Sequence, residues 1–497
     1  MRLLLDTVLS SEFVVYRQIF VDKRQIQTII ERPQSIYANC KAILCGRRPM
    51  CGHNEKGWVL CAPIGAVWSR RRVMRELGLK DARGGCMQFH DGVIRATFAG
   101  VPLVGNLENG HVIGLDPEGD RLCGELLAGE VSRDEACARN AVLVEHLEQR
   151  GFFEHRQPLG ITHAYVHVTQ RCNLRCKGCY SLDAARNAVD DPLLCDVKRV
   201  LSKLASAGVS RVVISGGEPF MRADLPEILA HAKRECGVER IEVLTNGTCI
   251  SDDCIARIAG CVDHISISLD VPSADQASCV RGYDRLPVLL DAVKRAQKAG
   301  ISVSIKATMH RKNAGDLDAY AALANELGCG VDYSLLTCPP GGCDADLLPD
   351  DEALRRLAQS LVALNRNDML DELRRGSIGV RAKGSCKAAV NLVSVAYDGE
   401  VYPCHMLHRE GLSMGNLFRD EVKTIEKSPV RRAFLKFTAD DVGECQGCSY
   451  KWFCGGGCQA RTFDGADVRA RRRDDYCVLM KEYFGLYESM LEEVLAR

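Results

Sequence analysis

The chain has 497 residues, 46% of them hydrophobic and 26% charged, which is the composition of a soluble globular protein with room for several domains. Lysine plus arginine and aspartate plus glutamate number 65 each, so the balanced charge predicts no nucleic-acid partner and no membrane surface. The 26 cysteines exceed what packing needs, and in a reducing compartment they indicate metal or redox chemistry.

Residues 1–90 form the segment whose role the sequence defines least. The opening "MRLLLDTVLSSEFVVYRQIF" lacks the apolar core and small-residue cleavage site of a signal peptide. No run approaches the ~18 apolar residues of a transmembrane helix, so a cytoplasmic location is expected. Cys40, Cys45, Cys51 and Cys61 are irregularly spaced, and they are either metal ligands or plain thiols.

Residues 91–155 have the pattern of a small winged-helix module. Three short runs broken by glycines, "VIRATFAG", "VPLVGNLENG" and "HVIGLD", predict strands with turns. Ser132 with Glu135 then predicts a capping box. Apolar residues at helical spacing follow the strands: Leu122, Leu126, Leu127, Val142, Val144 and Leu147.

The stretch "LENGHVIGLDPEGDRLCGELLAG" in this module resembles the PqqD-like peptide-recognition element of enzymes that modify ribosomally made peptides. The resemblance implies that residues 91–155 bind the leader of a precursor peptide. A small structural domain is the alternative.

Residues 160–345 alternate between strand and helix patterns. Strand-like runs from "AYVHVT" to "VDYSLL" are separated by helical ones, at intervals of about 30 residues. Such units predict an α/β fold with parallel strands and right-handed crossovers, here a partial (β/α)6 barrel. Functional residues should therefore lie at the C-terminal ends of the strands.

The stretch "RCNLRCKGCY" follows the first of these strands. Its thiols, Cys172, Cys176 and Cys179, are close enough in sequence to bind three irons of one 4Fe–4S cluster, which leaves the fourth iron for a small molecule. The motif CxxxCxxC, followed by the aromatic Tyr180, resembles the loop of the radical S-adenosylmethionine (SAM) superfamily. The resemblance implies that the reduced cluster cleaves SAM to a 5′-deoxyadenosyl radical, which abstracts hydrogen from an unactivated carbon.

Further motifs at strand ends carry the same resemblance. They are "SGGEP" with Gly216, Gly217, Glu218 and Pro219, "TNG" with Thr245 and Asn246, Ser268 in "SISLD", and Arg281 in "VRGYDRL". In the family the backbone of the first motif binds the amino group of SAM, and glycines permit that close approach. The resemblance also implies that Ser268 contacts the ribose region of SAM and that Arg281 binds its carboxylate.

After a helical linker at 346–384, residues 385–497 contain a second cysteine set. It comprises Cys386, Cys404, Cys445, Cys448, Cys454, Cys458 and Cys477. Between the first two lies "VSVAYDGEVYP", which predicts a hairpin with an Asp-Gly turn. The order and spacing resemble the SPASM extension of radical SAM proteins, which holds two auxiliary 4Fe–4S clusters; a structural zinc site is the alternative.

That resemblance assigns Cys445, Cys448, Cys454 and Cys477 to one auxiliary cluster. It assigns Cys386, Cys404 and Cys458 to the other, which lies nearer the barrel. The fourth ligand of this second cluster stays open between Cys338, Cys343 and a substrate thiolate.

These features favour a radical SAM/SPASM peptide maturase, which would form a thioether or carbon–carbon crosslink in a ribosomally made precursor peptide. A reductant such as flavodoxin or ferredoxin is the implied second partner. The alternatives are an anaerobic sulfatase-type maturase, an enzyme that modifies haem or another small molecule, and a non-enzymatic Fe–S electron carrier. Sulfatase-type enzymes carry an aspartate directly after the cysteine at the end of the hairpin, whereas this chain has His405 there.

His405 is either a catalytic proton acceptor or a hydrogen-bonding group beside the cluster. The run "RARRRDDYC" is interpreted as a solvated helix face. The scattered cysteines are interpreted as small core residues: Cys195, Cys236, Cys249, Cys254, Cys261, Cys279 and Cys329.

Overall fold

The computed structural model describes residues 86–155, 160–282, 286–338, 342–374, 380–463, 465 and 471–495, together with an isolated strand pair, β1 (Leu60–Cys61) and β2 (Val67–Trp68). Of the N-terminal cysteines considered above, Cys40, Cys45 and Cys51 lie outside the described residues. Within the described ranges, none of the helices combines the length and apolarity needed to cross a bilayer.

The first described unit has three strands followed by helices. Its elements are β3 (Cys86–Met87), β4 (Val93–Phe98), β5 (Val101–Asn106), β6 (Val112–Gly114), α1 (Pro117–Ala128), β7 (Val131–Ser132) and α2 (Arg133–Gln149). Strands β4, β5 and β6 form an antiparallel meander, and β3 pairs with β7. Helix α1 begins after Asp116, whose side chain accepts a hydrogen bond from the Gly119 N–H at 2.6 Å, and ends at Gly129 with φ of 69°.

Helix α2 consists of two helical segments that meet at Asn140. This residue has non-helical angles (φ −153°, ψ 82°), and its side-chain oxygen accepts a hydrogen bond from the Leu143 N–H at 3.0 Å. After the break, a different side of the helix faces the core. Val144 and Leu147 are therefore buried, whereas Val142 is 53% exposed. The helical periodicity therefore predicted the core position of Val142 wrongly.

Residues 160–338 form the parallel sheet that the sequence predicted. Its strands are β8 (His163–Thr169), β9 (Arg211–Gly216), β10 (Arg240–Thr245), β11 (His264–Leu269), β12 (Ser302–Met309) and β13 (Gly330–Leu335). They lie side by side in chain order and are parallel. The helices between them are α3 (Leu194–Ser206), α4 (Leu225–Ala230), α5 (Asp252–Ile258), α6 (Leu286–Lys298) and α7 (Leu317–Leu327). The predicted α/β fold with a partial barrel is confirmed.

The strands present apolar residues to the helices and polar residues to the lumen. On β11 and β12, Ile267 and Ile305 are buried in the core on the helix side. Their neighbours Ser266 and Ser304 share a hydrogen bond at 3.1 Å on the opposite side, and Ser304 also donates to Asp332 of β13 at 2.8 Å. This alternation gives the barrel a polar interior.

The C-terminal region extends the same sheet. The predicted Asp-Gly hairpin forms β14 (Leu392–Val395) and β15 (Val401–Tyr402), and β14 pairs in parallel with β8. The remaining helices are α8 (Asp351–Arg374), α9 (Val422–Glu426), α10 (Pro429–Lys436), α11 (Lys451–Cys454), α12 (Gln459–Thr462) and α13 (Cys477–Leu495), and α8 packs along α13. The cysteine-rich region is therefore joined to the barrel through backbone hydrogen bonds.

The tip of the β4–β5 hairpin docks the N-terminal unit onto this region. Phe98 is fully buried, and its ring centroid lies 5.3–6.5 Å from four aromatic rings: Tyr450, Phe453, Phe484 and Tyr487. Beside it, the Ala99 N–H donates to the Glu488 carboxylate at 2.8 Å. At the β5–β6 turn, the Ala382 N–H donates to the Gly110 carbonyl at 3.1 Å.

Most of the scattered cysteines lie in the core as expected. Cys261 is buried, and Cys236, Cys249, Cys254 and Cys329 are partly buried against the barrel core. Cys195 differs, because it lies on the outer side of α3 and is exposed. The core interpretation of Cys195 is therefore wrong.

Candidate active site

The cysteine loop, residues 171–180, leaves the C-terminal end of β8. Asn187 fixes its start, since its side chain accepts a hydrogen bond from the Cys172 N–H at 2.8 Å and donates to the Cys172 carbonyl at 2.9 Å. Further along, the Lys177 ammonium pairs with Asp344 at 3.0 Å. Burial raises the pKa of the Cys176 thiol to about 11, so a bound cation is needed to hold it as a thiolate near neutral pH.

The "SGGEP" motif at the end of β9 packs directly onto this loop. The Gly217 N–H donates to the Thr169 carbonyl and the Glu218 N–H to the Arg171 carbonyl, both at 2.8 Å. A Cβ atom at Gly216 would lie 2.3 Å from the Thr169 oxygen, and one at Gly217 would lie 2.1 Å from the Arg171 oxygen. Only glycine fits at either position, because the backbone of the cysteine loop occupies the space that a side chain would need.

The side chain of Glu218 connects this motif to "TNG". Its carboxylate is fully buried and accepts hydrogen bonds from the Thr245 hydroxyl and the Asn246 N–H, both at 2.7 Å. Burial raises the pKa of Glu218, against the effect of these hydrogen bonds. Pro219 begins a short 3-10 turn, Pro219–Met221. The side chains of Glu218 and Thr245 therefore position the two motifs relative to each other.

A pocket lies between the cysteine loop and the ends of β10 and β11. It is lined by Leu174, Asn246, Thr248, Leu269, Asp270, Val271, Arg281, Leu286 and Leu289. The Asn246 side chain donates to Asn173 at 2.9 Å and lies 3.9 Å from the Cys172 sulfur. The pocket thus opens directly beside the first cysteine, where the sequence placed SAM.

Asp270 holds Arg281 at this pocket. The Arg281 N–H donates to the Asp270 carboxylate at 2.6 Å, and the guanidinium forms an ion pair with the same group. The sequence argument missed the role of Asp270, although its place directly after β11 was the available signal. Ser268 is not among the pocket residues; it lies on β11 in register with Lys306 of β12.

Tyr180 connects the cysteine loop to the C-terminal region. Its hydroxyl shares a hydrogen bond with the Ser215 hydroxyl at 2.6 Å, and its ring meets His405 edge-on with centroids 5.0 Å apart. His405 also stacks on Tyr165 at 4.3 Å. Because Tyr180 follows Cys179 and His405 follows Cys404, this contact joins the residues next to two cysteine sets.

His405 is a neutral ring at physiological pH. Burial lowers its pKa to about 3, and the charges of Lys306 and His408 add to the effect. Its Nδ1 atom is buried and has no hydrogen-bond partner among the described residues. Lys306 lies in the same lumen and makes no ion pair with a carboxylate in the described parts of the chain. Among the described residues, the lumen therefore presents the His405 Nδ1 atom without a hydrogen-bond partner and the Lys306 ammonium without an ion pair.

The C-terminal thiols affect one another's pKa in two sets, and the assignment of each set to one auxiliary cluster stays a prediction. Burial raises the pKa of Cys404, and the nearby thiols of Cys458 and Cys386 raise it further. In the other group, burial and then the thiols of Cys477 and Cys448 raise the pKa of Cys445, and burial raises the pKa of Cys454 to about 11, with Cys477 as one of its neighbours.

The spacing of the thiols fits clusters better than single ions. Among the described residues, only one group of three or more potential ligands has all its ligand atoms within 4.8 Å, and it contains no cysteine. A tetrahedral zinc ion with Zn–S bonds of about 2.3 Å would hold its sulfurs about 3.8 Å apart. A cubane with several irons accommodates the wider spacing.

Asp474 connects the two C-terminal groups and was missed by the sequence argument. It is buried, accepts hydrogen bonds from the Cys458 N–H at 2.7 Å and the Tyr476 N–H at 2.9 Å, and pairs with Arg461 at 2.7 Å. A Cβ atom at Gly457 would lie 2.4 Å from this carboxylate.

The interpretation of "RARRRDDYC" as a helix face is wrong for residues 471–476, and of these residues only Arg472, Arg473 and Asp475 are exposed as expected. Arg471 lies over three aromatic rings at 5.1–5.2 Å, those of Phe434, Phe437 and Phe463, and the helix begins only at Cys477. Cation–π contacts of this kind bury the arginine stem against the core.

Cys338 and Cys343 contact each other near the cysteine loop. Burial and a hydrogen bond with Cys338 raise the pKa of Cys343 to about 12. A Cβ atom at Gly178 would lie 3.8 Å from the Cβ of Cys343. Their assignment as a fourth auxiliary ligand stays a prediction.

Two family models match the regions that carry these cysteines. The Radical SAM superfamily matches residues 166–324, and SPASM, an iron–sulfur cluster-binding domain, matches residues 386–449. The chain therefore carries a radical SAM domain followed by a SPASM domain, and its cofactors are a 4Fe–4S cluster with SAM and the auxiliary clusters of the SPASM region.

Curated relatives match this region over about 310 residues. Mycofactocin maturase MftC of Mycolicibacterium smegmatis is 28% identical over 310 residues, 60% of this chain and 77% of that protein. PqqA peptide cyclase of Xanthomonas campestris pv. campestris is 28% identical over 313 residues, 60% of this chain and 81% of that protein. The subtilosin biosynthesis protein AlbA of Bacillus subtilis is 25% identical over 308 residues, 59% of this chain and 66% of that protein.

Solved structures confirm the fold. The structure of anSMEcpe with bound AdoMet has a TM-score of 0.56 and 17% identity, and the match covers 67% of this chain and 98% of that one. SuiB of Streptococcus suis bound to precursor peptide SuiA has a TM-score of 0.53 and 15% identity, and the match covers 78% of this chain and 99% of that one.

Proposed function

We propose that this radical SAM enzyme, with its SPASM domain, abstracts hydrogen from a ribosomally made precursor peptide and forms an intramolecular thioether or carbon–carbon crosslink. When bound, the reduced cluster and SAM supply the 5′-deoxyadenosyl radical for that abstraction. Relatives named as a PqqA peptide cyclase and a bacteriocin biosynthesis protein support a peptide as the substrate.

The observation that carries the proposal is the module at residues 91–155 and its docking on the SPASM region. Strand β6 pairs with β5 on one side, and no described strand pairs with its other side. Val142, at the start of the second segment of α2, exposes 53% of its surface. An extended leader peptide would add as a strand to β6 and place an apolar side chain against Val142.

Docking at Phe98 gives this module a fixed position beside the catalytic domain. The hairpin tip is buried among aromatic rings of α11 and α13, and the β5–β6 turn is hydrogen-bonded to Ala382. A leader held on β6 is therefore anchored close to the residues that precede Cys386. The core peptide would extend from there to the barrel mouth.

The lumen supplies the contacts for the residue that reacts. Tyr180 and His405 form an aromatic wall between the cysteine loop and Cys404. The unpartnered Nδ1 of His405 would accept a hydrogen bond from the peptide, and the Lys306 ammonium would bind a peptide carboxylate or carbonyl. A cluster held by the thiols of Cys386, Cys404 and Cys458 would have one iron without a protein ligand. The thiolate of a substrate cysteine is a suitable ligand for that iron.

The test is an anaerobic assay with the reconstituted enzyme, SAM, dithionite and a cysteine-containing peptide encoded next to the gene. A mass loss of two hydrogens per crosslink, together with 5′-deoxyadenosine, is expected, and fragmentation would locate the bond. Deoxyadenosine formation with an unchanged peptide would refute that peptide as the substrate. A reductant such as flavodoxin or ferredoxin should replace dithionite in the same assay.

Two variants separate the leader site from the chemistry. Val142→Glu places a charge on the proposed leader surface, so it should lower peptide modification while deoxyadenosine formation in the absence of peptide stays at the wild-type rate. Cys176→Ala should abolish both. If Val142→Glu modifies the peptide as the wild type does, the leader does not bind along this surface.

A further inference from the structure

Four side chains with metal-binding atoms meet at the edge of the module at 91–155, outside the cysteine sets described above. They are His90 and Asp91 before β4, Glu108 in the β5–β6 turn, and His155 after α2. The ligand atoms of His90, Asp91 and His155 all lie within 4.8 Å of one another. We propose that these residues form a zinc site that joins the beginning and the end of the module.

The ligand atoms of His90, Asp91 and His155 lie close enough for one tetrahedral ion, with Glu108 beside them. His155 Nε2 lies 3.1 Å from Asp91, His155 Nδ1 lies 2.9 Å from Glu108, and His90 Nδ1 lies 3.7 Å from Glu108. Zinc bonds of about 2.0–2.1 Å to nitrogen and oxygen place neighbouring ligand atoms about 3.3 Å apart. His90, Asp91 and His155 Nε2 would hold the ion, and Glu108 would accept the hydrogen bond of His155 Nδ1–H on the other side of the ring.

The backbone around the group is built to bring these side chains together. The His90 N–H donates to the Phe152 carbonyl at 3.2 Å, and the Asn106 side chain donates to the Gly151 carbonyl at 2.8 Å. A Cβ atom at Gly92 would lie 2.9 Å from the His90 ring and 3.2 Å from the Glu108 side chain. Any larger residue at position 92 would push the two ligands apart.

The charges also favour a cation here. Two carboxylates face one exposed and one buried imidazole, and the His155 ring lies between Asp91 and Glu108. A zinc ion would take the position of a proton between His155 Nε2 and Asp91, and Glu108 would keep its contact with Nδ1. Binding of the ion at His90 Nδ1 would also break the hydrogen bond that this atom accepts from the Gly92 N–H at 3.0 Å, because the Nδ1 lone pair can bind only one partner.

Such an ion would connect the last described residue of the module, His155, to its first turn. The chain enters the barrel at residue 160, so the ion would fix where the module ends and the linker to the barrel begins. Nitrogen and carboxylate ligands without thiolate suit zinc and exclude iron–sulfur assembly at this position.

The test compares the zinc content of the full-length reconstituted enzyme with that of variants at exposed ligands. His155→Ala and Asp91→Asn leave the core intact, because these side chains are 59% and 90% exposed. His146→Ala, on α2 of the same module, is the matched control. After equilibration with zinc chloride and a weak chelator, elemental analysis by mass spectrometry should find one more zinc per chain in the wild type and His146→Ala than in the two ligand variants, with equal iron in all four.

A second readout is thermal. Zinc should raise the unfolding temperature of the wild type and of His146→Ala, and leave that of His155→Ala unchanged. Equal zinc content in the wild type and both ligand variants would overturn the proposal, as would a zinc-induced stabilisation that survives His155→Ala.

Discussion

Replacing Phe98 by alanine should release the module at 91–155 from the SPASM region. Phe98 is fully buried, and four aromatic rings surround it at 5.3–6.5 Å. Truncation of a buried phenylalanine costs about 3–5 kcal/mol of free energy. Since each 1.4 kcal/mol is a factor of ten, the docking equilibrium should fall by about 10²- to 10⁴-fold.

The remaining contacts do not replace the buried ring. Leu103 and Val112 share the same buried cluster with Met490 and Leu491, and hydrogen bonds run from Ala99 to Glu488, from Ala382 to Gly110, and from Arg381 to the Asn109 carbonyl. Because a typical hydrogen bond contributes only about 0.5–1.5 kcal/mol net, these three bonds do not compensate for the truncation.

Hydrogen exchange and peptide modification test this prediction together. In Phe98→Ala, exchange should rise at residues 98–114 and 484–491, and peptide modification should fall while SAM cleavage without peptide is unchanged. Phe152→Ala is the control, because Phe152 is equally buried but contacts Phe89 inside the module, so exchange should rise in α1 and α2 instead. Wild-type exchange at 484–491 in Phe98→Ala would refute the docking argument.

Four further changes have defined outcomes. Gly217→Ala should abolish deoxyadenosine formation, because its Cβ would lie 2.1 Å from the Arg171 oxygen, whereas Gly315→Ala, with its nearest atom at 3.9 Å, should not. Lys306→Met should raise the ratio of deoxyadenosine to modified peptide, and an unchanged ratio would remove Lys306 from the substrate site. Asp474→Asn should lower the iron content, since it removes the negative charge that pairs with the buried Arg461, at a cost of about 3–5 kcal/mol. His310→Asn tests stability in acid. Burial lowers the pKa of His310 to about 4 in the folded protein, whereas the pKa in the unfolded chain is near 6.5. The unfolded chain therefore binds a proton at His310 first, and the stability of the folded protein falls as the pH drops from about 6.5 to about 4. In urea titrations between about pH 6 and pH 5 the variant should lose about 1.4 kcal/mol less per pH unit than the wild type, and equal slopes would contradict this.

The local patterns of the sequence predicted the barrel strands and the cysteine motifs because both depend on short-range order. Alternation along "HISISL" indicates a strand with one apolar side, and the three cysteines of "RCNLRCKGCY" lie within eight residues of one another. The position of Val142 was predicted wrongly because periodicity assumes an unbroken helix. Asn140 caps the second segment of α2, and an asparagine inside a helical pattern was the signal available for that break.

Contacts between distant segments had no such signal. Asp474 lies in a run of charges that favours solvent by composition, yet it is buried between Arg461 and Cys458. The pairing of β14 with β8 also depends on residues more than two hundred positions apart. Nothing in either local pattern indicates these partners, because the gain in free energy arises only when the whole fold brings the segments together.

The environment of His405 distinguishes between two of the chemistries that the sequence left open. Sulfatase-type enzymes place an aspartate after this cysteine, a group that is charged at neutral pH. Here the His405 ring is buried and stacked on Tyr165, and burial lowers its pKa to about 3. The ring is therefore neutral at pH 7. A general base works best with a pKa near the working pH, and His405 is far below it. A neutral acceptor beside a set of three cysteines suits the positioning of a peptide better than the removal of its proton, which favours crosslinking over sulfatase-type oxidation.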